Sequence, residues 1–370
     1  MKIQSVAAYT VRIPLPRPVA LGGMVIGERE YVLVRVEARE GPCGVGFGFT
    51  RGGPVAEVVA RILAPLLVGA DALLTSALWD RMVAATRLNG RAGLMMRAVS
   101  AVDIALWDLK AQVAGLPLYQ LLGGHADAVP AIASGGYLHQ GEGPDETIRE
   151  MERYAGDGFT LVKVMVGALA PHEDAERVIR VHQALGPGVR IAVDANGVWR
   201  DWREAMAFIG ALGDTPLAFV EEPFAPENTL ALERFSRVSP VPVAVGETES
   251  GRWPFRDLLA GGRADILRHD ATLVGGVTEW MRVAAMASAW DIPVLPHWFP
   301  EVHGHLLAAI PNAMAVEWIA PDAQVMRLEA IVRAGGVPRA GRLTLGPAPG
   351  LGVEVDWKAV ERLGVRSDPA

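Results

Sequence analysis

The sequence is poorest in cysteine and lysine. One cysteine, Cys43, among 370 residues excludes a disulfide framework and a cysteine-held zinc site, and it fits a reducing, cytoplasmic setting. Lysine occurs only at Lys2, Lys110, Lys163 and Lys358, against 31 arginines. A basic surplus is also missing. The formal net charge is −7 and arginines are interspersed with acids, which removes the electrostatic case for nucleic acid or an anionic membrane as partner. No apolar run approaches the roughly 18 residues that span a bilayer. The N-terminal "MKIQSVAAYTVRIPLP" alternates like a strand and has no signal-peptide core. What remains is the composition of a soluble enzyme or small-molecule binder, long enough for two domains or a barrel with additions.

The patterning changes once along the chain. Residues 1–125 begin with alternating runs, "IQSVAAYTVRIPL", "YVLVRVEA" and "GVGFGFT", joined through the Gly/Pro-rich "RPVALGGMVIGERE". Helical periodicity follows, with Val102, Ala105, Leu106, Leu109 and Val113 marking one apolar stripe. Strands first and helices after predict an α+β domain. Residues 126–320 then alternate short apolar strands with helix-like segments such as "EDAERVIRVHQAL". The expected strands are Val129–Tyr137, Leu161–Val166, Arg190–Asn196, Phe219–Pro223, Val243–Glu247, Ile266–Asp270, Val294–Trp298 and Ala315–Ile319. Eight β/α units predict a TIM-type barrel; a doubly wound open sheet is disfavoured because no Gly-rich phosphate loop is present. Residues 321–370 look extended and are expected to return to the first domain.

Chemistry in a barrel sits at the C-terminal strand ends. Those ends carry Lys163, Asp194 with Asn196, Glu221, Glu247, Asp270, His297 and Glu317, from seven consecutive strands. Any one acid is as readily explained by a nearby arginine. Asp194, Glu221 and Glu247, on adjacent strands, repel one another unless a cation sits among them, and three carboxylates suit a hard ion such as Mg²⁺. Glu222 must point away from Glu221, either to support the ligands from behind or to face outward. Arg268 shares the face of Asp270 one layer deeper and is placed to neutralise carboxylates. An aspartate beside His297 would fix its tautomer and raise its basicity. His303 and His305 are expected to be bystanders.

These residues resemble the enolase superfamily, and within it the mandelate racemase subgroup. The features are the lysine on the second strand, "VDAN" on the third, "EEP" on the fourth, "GE" on the fifth, and Asp270 followed by Gly275-Gly276-Val277 on the sixth. Histidine on the seventh, glutamate on the eighth and the segment "AVDIALWDLKAQVAGLPLYQLLGG" complete the set. The resemblance implies a modified (β/α)7β barrel under an α+β cap that the C-terminal segment completes. It implies Mg²⁺ on Asp194, Glu221 and Glu247, and a carboxylate substrate whose α-proton is removed to an enediolate. His297 with Asp270 would be base, acid or both; Glu317 would bond the substrate carboxylate, and Asn196 would line the pocket. A symmetric homo-oligomer, often an octamer, also follows from the resemblance.

One position departs from the pattern. The subgroup usually has Lys-x-Lys on the second strand, the first lysine near the substrate carboxylate and the second a base, whereas this chain has Lys163-Val164-Met165. The resemblance implies that Lys163 faces the metal-bound carboxylate and that the base beside it is missing. Methionine has no proton to exchange. One His–Asp pair suffices to dehydrate an acid sugar to a 2-keto-3-deoxy acid; a racemase, epimerase or cycloisomerase would need Lys163 as the other base. A silent carboxylate binder is the reading from another class. Substrate contacts are expected from the loops 20–30, 48–54 and 137–143, with Arg51 and His139 as candidates.

Overall fold

The computed structural model describes residues 1–21, 24–139, 143–333 and 335–367. The loops 20–30 and 137–143 therefore lie partly outside the described residues. The chain begins with β1 (Ile3–Leu21), β2 (Met24–Ala38) and β3 (Cys43–Phe49), an antiparallel sheet. The Gly/Pro-rich connection is not a loop, contrary to the expectation. β1 and β2 run on to the pair Leu21–Met24, with register shifts between Ile3 and Ser5 and between Pro14 and Val19. The second irregularity holds Pro16 and Pro18, which lack the N–H that a regular ladder needs.

The helix Leu94–Ala114 packs on this sheet, and Thr75–Thr86 packs against that helix. Val102, Ala105, Leu106 and Leu109 are buried as the stripe requires, but Val113 is 37% exposed, because the helix clears its neighbours in its last turn. The other face of the long helix is held by polar contacts. Asp103 accepts the N–H and Oγ of Thr278 at 2.8 and 2.7 Å, while Asp108 accepts the N–H groups of Val45 and Leu351 at 2.9 and 2.8 Å. Burial pushes their carboxyl groups up to about 7 and about 6, against those hydrogen bonds. The helix is thus bolted to both the sheet and the barrel.

Seven parallel strands make the barrel: β4 (Ala128–Gly135), β5 (Leu161–Met165), β6 (Arg190–Asp194), β7 (Val220–Glu221), β8 (Val243–Val245), β9 (Ile266–Leu267) and β10 (Val316–Trp318). Neighbours pair in sequence order and β10 returns to β4, so an open doubly wound sheet is ruled out. The expected seventh strand, Val294–Trp298, shrinks to bridges from Val294 to Leu267 and Ala313. Pro293 and Pro296 flank that residue and remove two ladder donors. The bond from Leu295 N–H to Leu267 O, 3.0 Å, still connects the ring.

The tail divides its contacts. β11 (Val332–Arg333) pairs with β13 (Glu354–Val355), and β12 (Arg342–Thr344) adds antiparallel to β4 of the barrel. Only β14 (Gly364–Ser367), after the helix Trp357–Leu363, joins the cap sheet beside β1.

The cap's approach to its helix depends on Gly44 and Gly46. A Cβ there would lie 2.0 and 1.9 Å from the carbonyl oxygens of Ala105 and Ala101, so only a bare backbone fits. Gly46→Ala is expected to lower the urea unfolding midpoint, with a cost of about 1–3 kcal/mol or more from overpacking. An unchanged midpoint would contradict this packing.

Candidate active site

The site follows from the two-residue repeat of a strand face. Ile132, Leu161, Ala192, Phe219, Ala244, Ile266, Leu295 and Ala315, one from each β unit, form a single buried layer inside the ring. Two residues further along each unit stand Ser134, Lys163, Asp194, Glu221, Gly246, Arg268, His297 and Glu317. One pleat therefore converts an apolar plug into a polar floor.

Two cations hold that floor together. Lys163 Nζ, with no solvent exposure, lies 3.0 Å from Asp194 Oδ2, 2.7 Å from Glu221 Oε1 and 2.7 Å from Glu317 Oε1. Arg268 Nη2 lies 2.7 Å from Glu221 Oε1 and 2.5 Å from Glu317 Oε2. Ser134 Oγ and the Trp298 N–H donate to the same Glu317 carboxylate at 2.7 and 3.1 Å. Burial works against the Lys163 charge, but Asp194, Glu221 and Glu317 more than offset it, and the ammonium stays well above its ordinary range. Burial likewise opposes the Glu317 charge, yet Lys163 and Arg268 hold its carboxyl well below normal. Arg268 does neutralise carboxylates, as its position on the sixth strand suggested.

Asp194, Glu221 and Glu247 offer one carboxylate oxygen each within 4.8 Å of one another. Asp194 Oδ1 accepts the Asn196 N–H at 2.9 Å. Oε2 of Glu221 and Oε2 of Glu247 are buried with no hydrogen-bond partner. Orphaned carboxylate oxygens are costly, and a hard divalent cation among them supplies the missing partner. Burial first, then Asp194 and Glu222, push the Glu247 carboxyl up to about 8. Glu222 does turn away from Glu221, with φ 37°, but inward rather than to solvent. Its Oε1 accepts the N–H groups of Gly246 and Glu247 at 2.6 and 3.0 Å and so fixes the backbone that carries Glu247.

His297 Nδ1 lies 2.9 Å from Asp270 Oδ2, and the other Asp270 oxygen caps a short helix by accepting the Thr272 N–H at 2.7 Å. With Nδ1–H donated to the carboxylate, Nε2 is left with its lone pair. The ring stacks on Trp298 with centroids 4.6 Å apart. His303 is closer to the chemistry than a bystander. Its Nε2 accepts the Ala271 N–H at 2.9 Å and lies 3.7 Å from Asp270 Oδ1, so it packs behind that carboxylate. His305 does stand apart, between the Tyr119 N–H and Leu351 O.

A cavity of about 250 Å³ opens above the floor, lined by Asn196, Glu247, Asp270 and His297 from the barrel and by Phe49, Arg51 and Arg97 from the cap. Asn196, at φ 48°, points Nδ2 at Met165 Sδ, 3.5 Å away. Lys163 and Glu317 lie beneath this space rather than on its wall. His139 lines a different cavity, with Tyr137, Arg149 and Asp322, and its Nδ1 lies 3.0 Å from Pro18 O. Sequence reasoning missed Arg97 and Phe49. The available signal was an arginine in the first turn of an otherwise apolar helix, "LMMRAVS".

Known proteins share this arrangement. A family described as mandelate racemase / muconate lactonizing enzyme, N-terminal domain, matches residues 4–123, and one described as enolase C-terminal domain-like matches residues 146–359. The chain belongs to the mandelate racemase/muconate lactonizing enzyme group of the enolase superfamily. An arabinonate dehydratase of Saccharolobus solfataricus is 34% identical over 75% of each chain. A 3,6-anhydro-alpha-L-galactonate cycloisomerase of Streptomyces coelicolor is 31% identical over 98% of this chain and 99% of its own. A racemase structure from Streptomyces coelicolor with bound magnesium aligns at TM-score 0.91 and 30% identity, covering 98% of this chain and all of that one. The metal cluster and these magnesium-bound relatives make Mg²⁺ the cofactor. No helix among the described residues is long and apolar enough to cross a membrane.

Metal binding should depend on pH in a defined direction. An unfolded glutamate titrates near 4.3, so from there to about 8 the metal-free fold keeps a proton on Glu247 that the unfolded chain has lost. This group's contribution to stability falls as pH rises through that window, and Mg²⁺ must displace the proton. The Mg²⁺-induced rise in melting temperature should be larger at pH 8 than at pH 6, with apparent affinity changing up to about tenfold per pH unit for one displaced proton. An equal rise at both would contradict the assigned ligand.

Proposed function

We propose that the protein dehydrates an acid sugar to a 2-keto-3-deoxy acid, with His297 as the only side-chain base at the reacting carbon. The observation that carries this reading is the count of bases. Lys163 has three N–H donors and spends all three on Asp194, Glu221 and Glu317. Met165, two residues on along the same strand face, offers only a thioether. His297, with Nδ1 tied to Asp270, has Nε2 left for the substrate.

In this scheme Asp194, Glu221 and Glu247 hold the ion, whose positive charge stabilises the substrate carboxylate as electron density builds on it. His297 Nε2 takes the proton from C2, and the C2–H electrons form the new C2–C3 double bond. The C3–O bond breaks, and the departing hydroxide takes that proton from the imidazolium and leaves as water. The resulting enol tautomerises to the 2-keto acid. Asp270 orients the ring and stabilises its charged form; Glu317 braces Lys163 and Arg268 under the metal; Asn196 and Arg51 contact the substrate, while His139, on the wall of a different cavity, takes no part in this scheme.

A cycloisomerase reading has its own support, since that relative spans nearly the whole chain whereas the arabinonate dehydratase spans three-quarters. It too needs an α-proton to move. A racemase or epimerase needs a base on each face, and the engagement of Lys163 counts against it. We divide the chain into a cap (1–125), a barrel (126–320) and a returning segment (321–370), in keeping with the N-terminal family match ending at residue 123. A cytoplasmic homo-oligomer fits the lone Cys43 and exposed side chains such as Leu230 and Trp253.

A panel of acid sugars assayed for 2-keto products with Mg²⁺ tests the reading. One acid should yield a 2-keto-3-deoxy product, and His297→Asn should reduce its turnover by about 10²–10⁴-fold. Lactone formation or opening without a keto product would favour the cycloisomerase. Wild-type turnover by His297→Asn would place the base elsewhere.

A further inference from the structure

Three arginines meet at the cap side of the cavity without acidic partners. Arg51 Cζ lies 4.7 Å from the Phe49 ring centroid and 5.9 Å from that of Trp298. Arg29 Cζ lies 5.5 and 5.0 Å from the same two rings. Arg97 donates from Nη1 to Phe49 O at 3.3 Å. Among the described residues none of the three forms an ion pair, although the chain carries 42 acids to 35 lysines and arginines. Glu30, the neighbouring acid, is taken up by Arg12 and Thr50. Arg29 is 2% exposed and its Nη2 is buried with no hydrogen-bond partner.

Arg51 also repels each of the other two. Burial lowers Arg29 and Arg97, the latter to about 10, and the charge of Arg51 lowers both further. Asp270 is the one acid that favours the Arg97 charge, and it is already bonded to His297 and Thr272. Like charges beside a partly buried space are held at a cost that an anion between them would relieve. The aromatic rings contribute through their π faces; Arg29 Nε donates to Val325 O at 2.7 Å and Arg97 Nη1 to Phe49 O, which leaves the other N–H edges for a ligand.

Arg51 and Arg97 line the same cavity as Glu247 and His297. A metal held by Asp194, Glu221 and Glu247 would draw the reacting carboxylate to the floor end, which leaves the arginines at the cap end for a second anion. We propose that the substrate is a diacid, a sugar acid with a carboxylate at each end, whose distal carboxylate is clamped by Arg51 and Arg97 with Arg29 behind them. The planar fork of arginine suits a carboxylate bidentately. This rests on the proposed α-proton chemistry only for the choice of reacting end; the clamp itself is a binding claim.

The test compares a hexarate with the hexonate of the same configuration at C2 and C3, and with the hexonate 6-phosphate. Two readouts are used: turnover, and calorimetric titration of the Mg²⁺-loaded protein. The hexarate should bind and react at least about tenfold better than the hexonate, the scale of one charge-assisted hydrogen bond. Arg51→Gln, exposed enough to leave the fold intact, and Arg97→Gln should each shrink that ratio towards one. Equal binding of hexarate and hexonate by the wild-type protein overturns the clamp. Tighter binding of the phosphate ester than of the hexarate overturns the carboxylate assignment. Diacid-selective binding without turnover supports the clamp while counting against the dehydratase reading, so the two failures are separable.

Discussion

The ammonium of Lys163, wedged without solvent among Asp194, Glu221 and Glu317, is the contact on which the site depends. Four carboxylates, those three and Glu247, converge on the barrel mouth, where their mutual repulsion would open the ring. Lys163 and Arg268 stitch the second, third, fourth, sixth and eighth strand ends into one network. Breaking one member of such a buried network leaves an uncompensated charge and typically costs several kcal/mol. The two cations do not use up the acids. Oxygens of Glu221 and Glu247 remain without a partner, and that remainder is where the Mg²⁺ ion belongs. The same interaction therefore stabilises the fold, shapes the metal site and removes Lys163 from proton transfer.

The cap completes the site by close approach. Gly44 and Gly46 let the helix Leu94–Ala114 lie on β3, and a Cβ on Gly48 would come within 2.8 Å of Thr272 Cβ, in the turn that follows Asp270. Asp103 ties the same helix to Thr278. The residues that hold Asp270 in place are thus in contact with the cap, and Arg97 rides on the helix that makes the contact. Acid–base group and arginine cluster are positioned by one joint.

Much of this was legible in the sequence because strand geometry is so regular. Polar residues ending successive β units made Lys163, Asp194, Glu221, Glu247, Asp270, His297 and Glu317 recognisable as one mouth. That Arg268, expected one layer deeper than Asp270, lies level with Lys163 and Glu317 emerges only in the structure. The long reach of β1 and β2 was not legible, since Gly and Pro ordinarily punctuate strands and here Pro16 and Pro18 sit within a register shift. Nor was the reduced seventh strand. Its apolar residues look like a strand, but Pro293 and Pro296 decide the hydrogen bonding. Arg97, Phe49 and the position of His303 behind Asp270 depend on how cap and barrel meet and on the path after Trp298, and no local pattern encodes either.

Exchange of solvent deuterium at C2, followed by proton NMR, tests the central claim most directly. The Mg²⁺-loaded wild-type protein would be given two acid sugars that differ only in configuration at C2. With Lys163 fully engaged and Met165 on its strand face, His297 is the sole acceptor, so only one epimer should lose its C2 proton. Comparable loss from both epimers would mean a second base serves the opposite face, and the one-sided mechanism would be wrong.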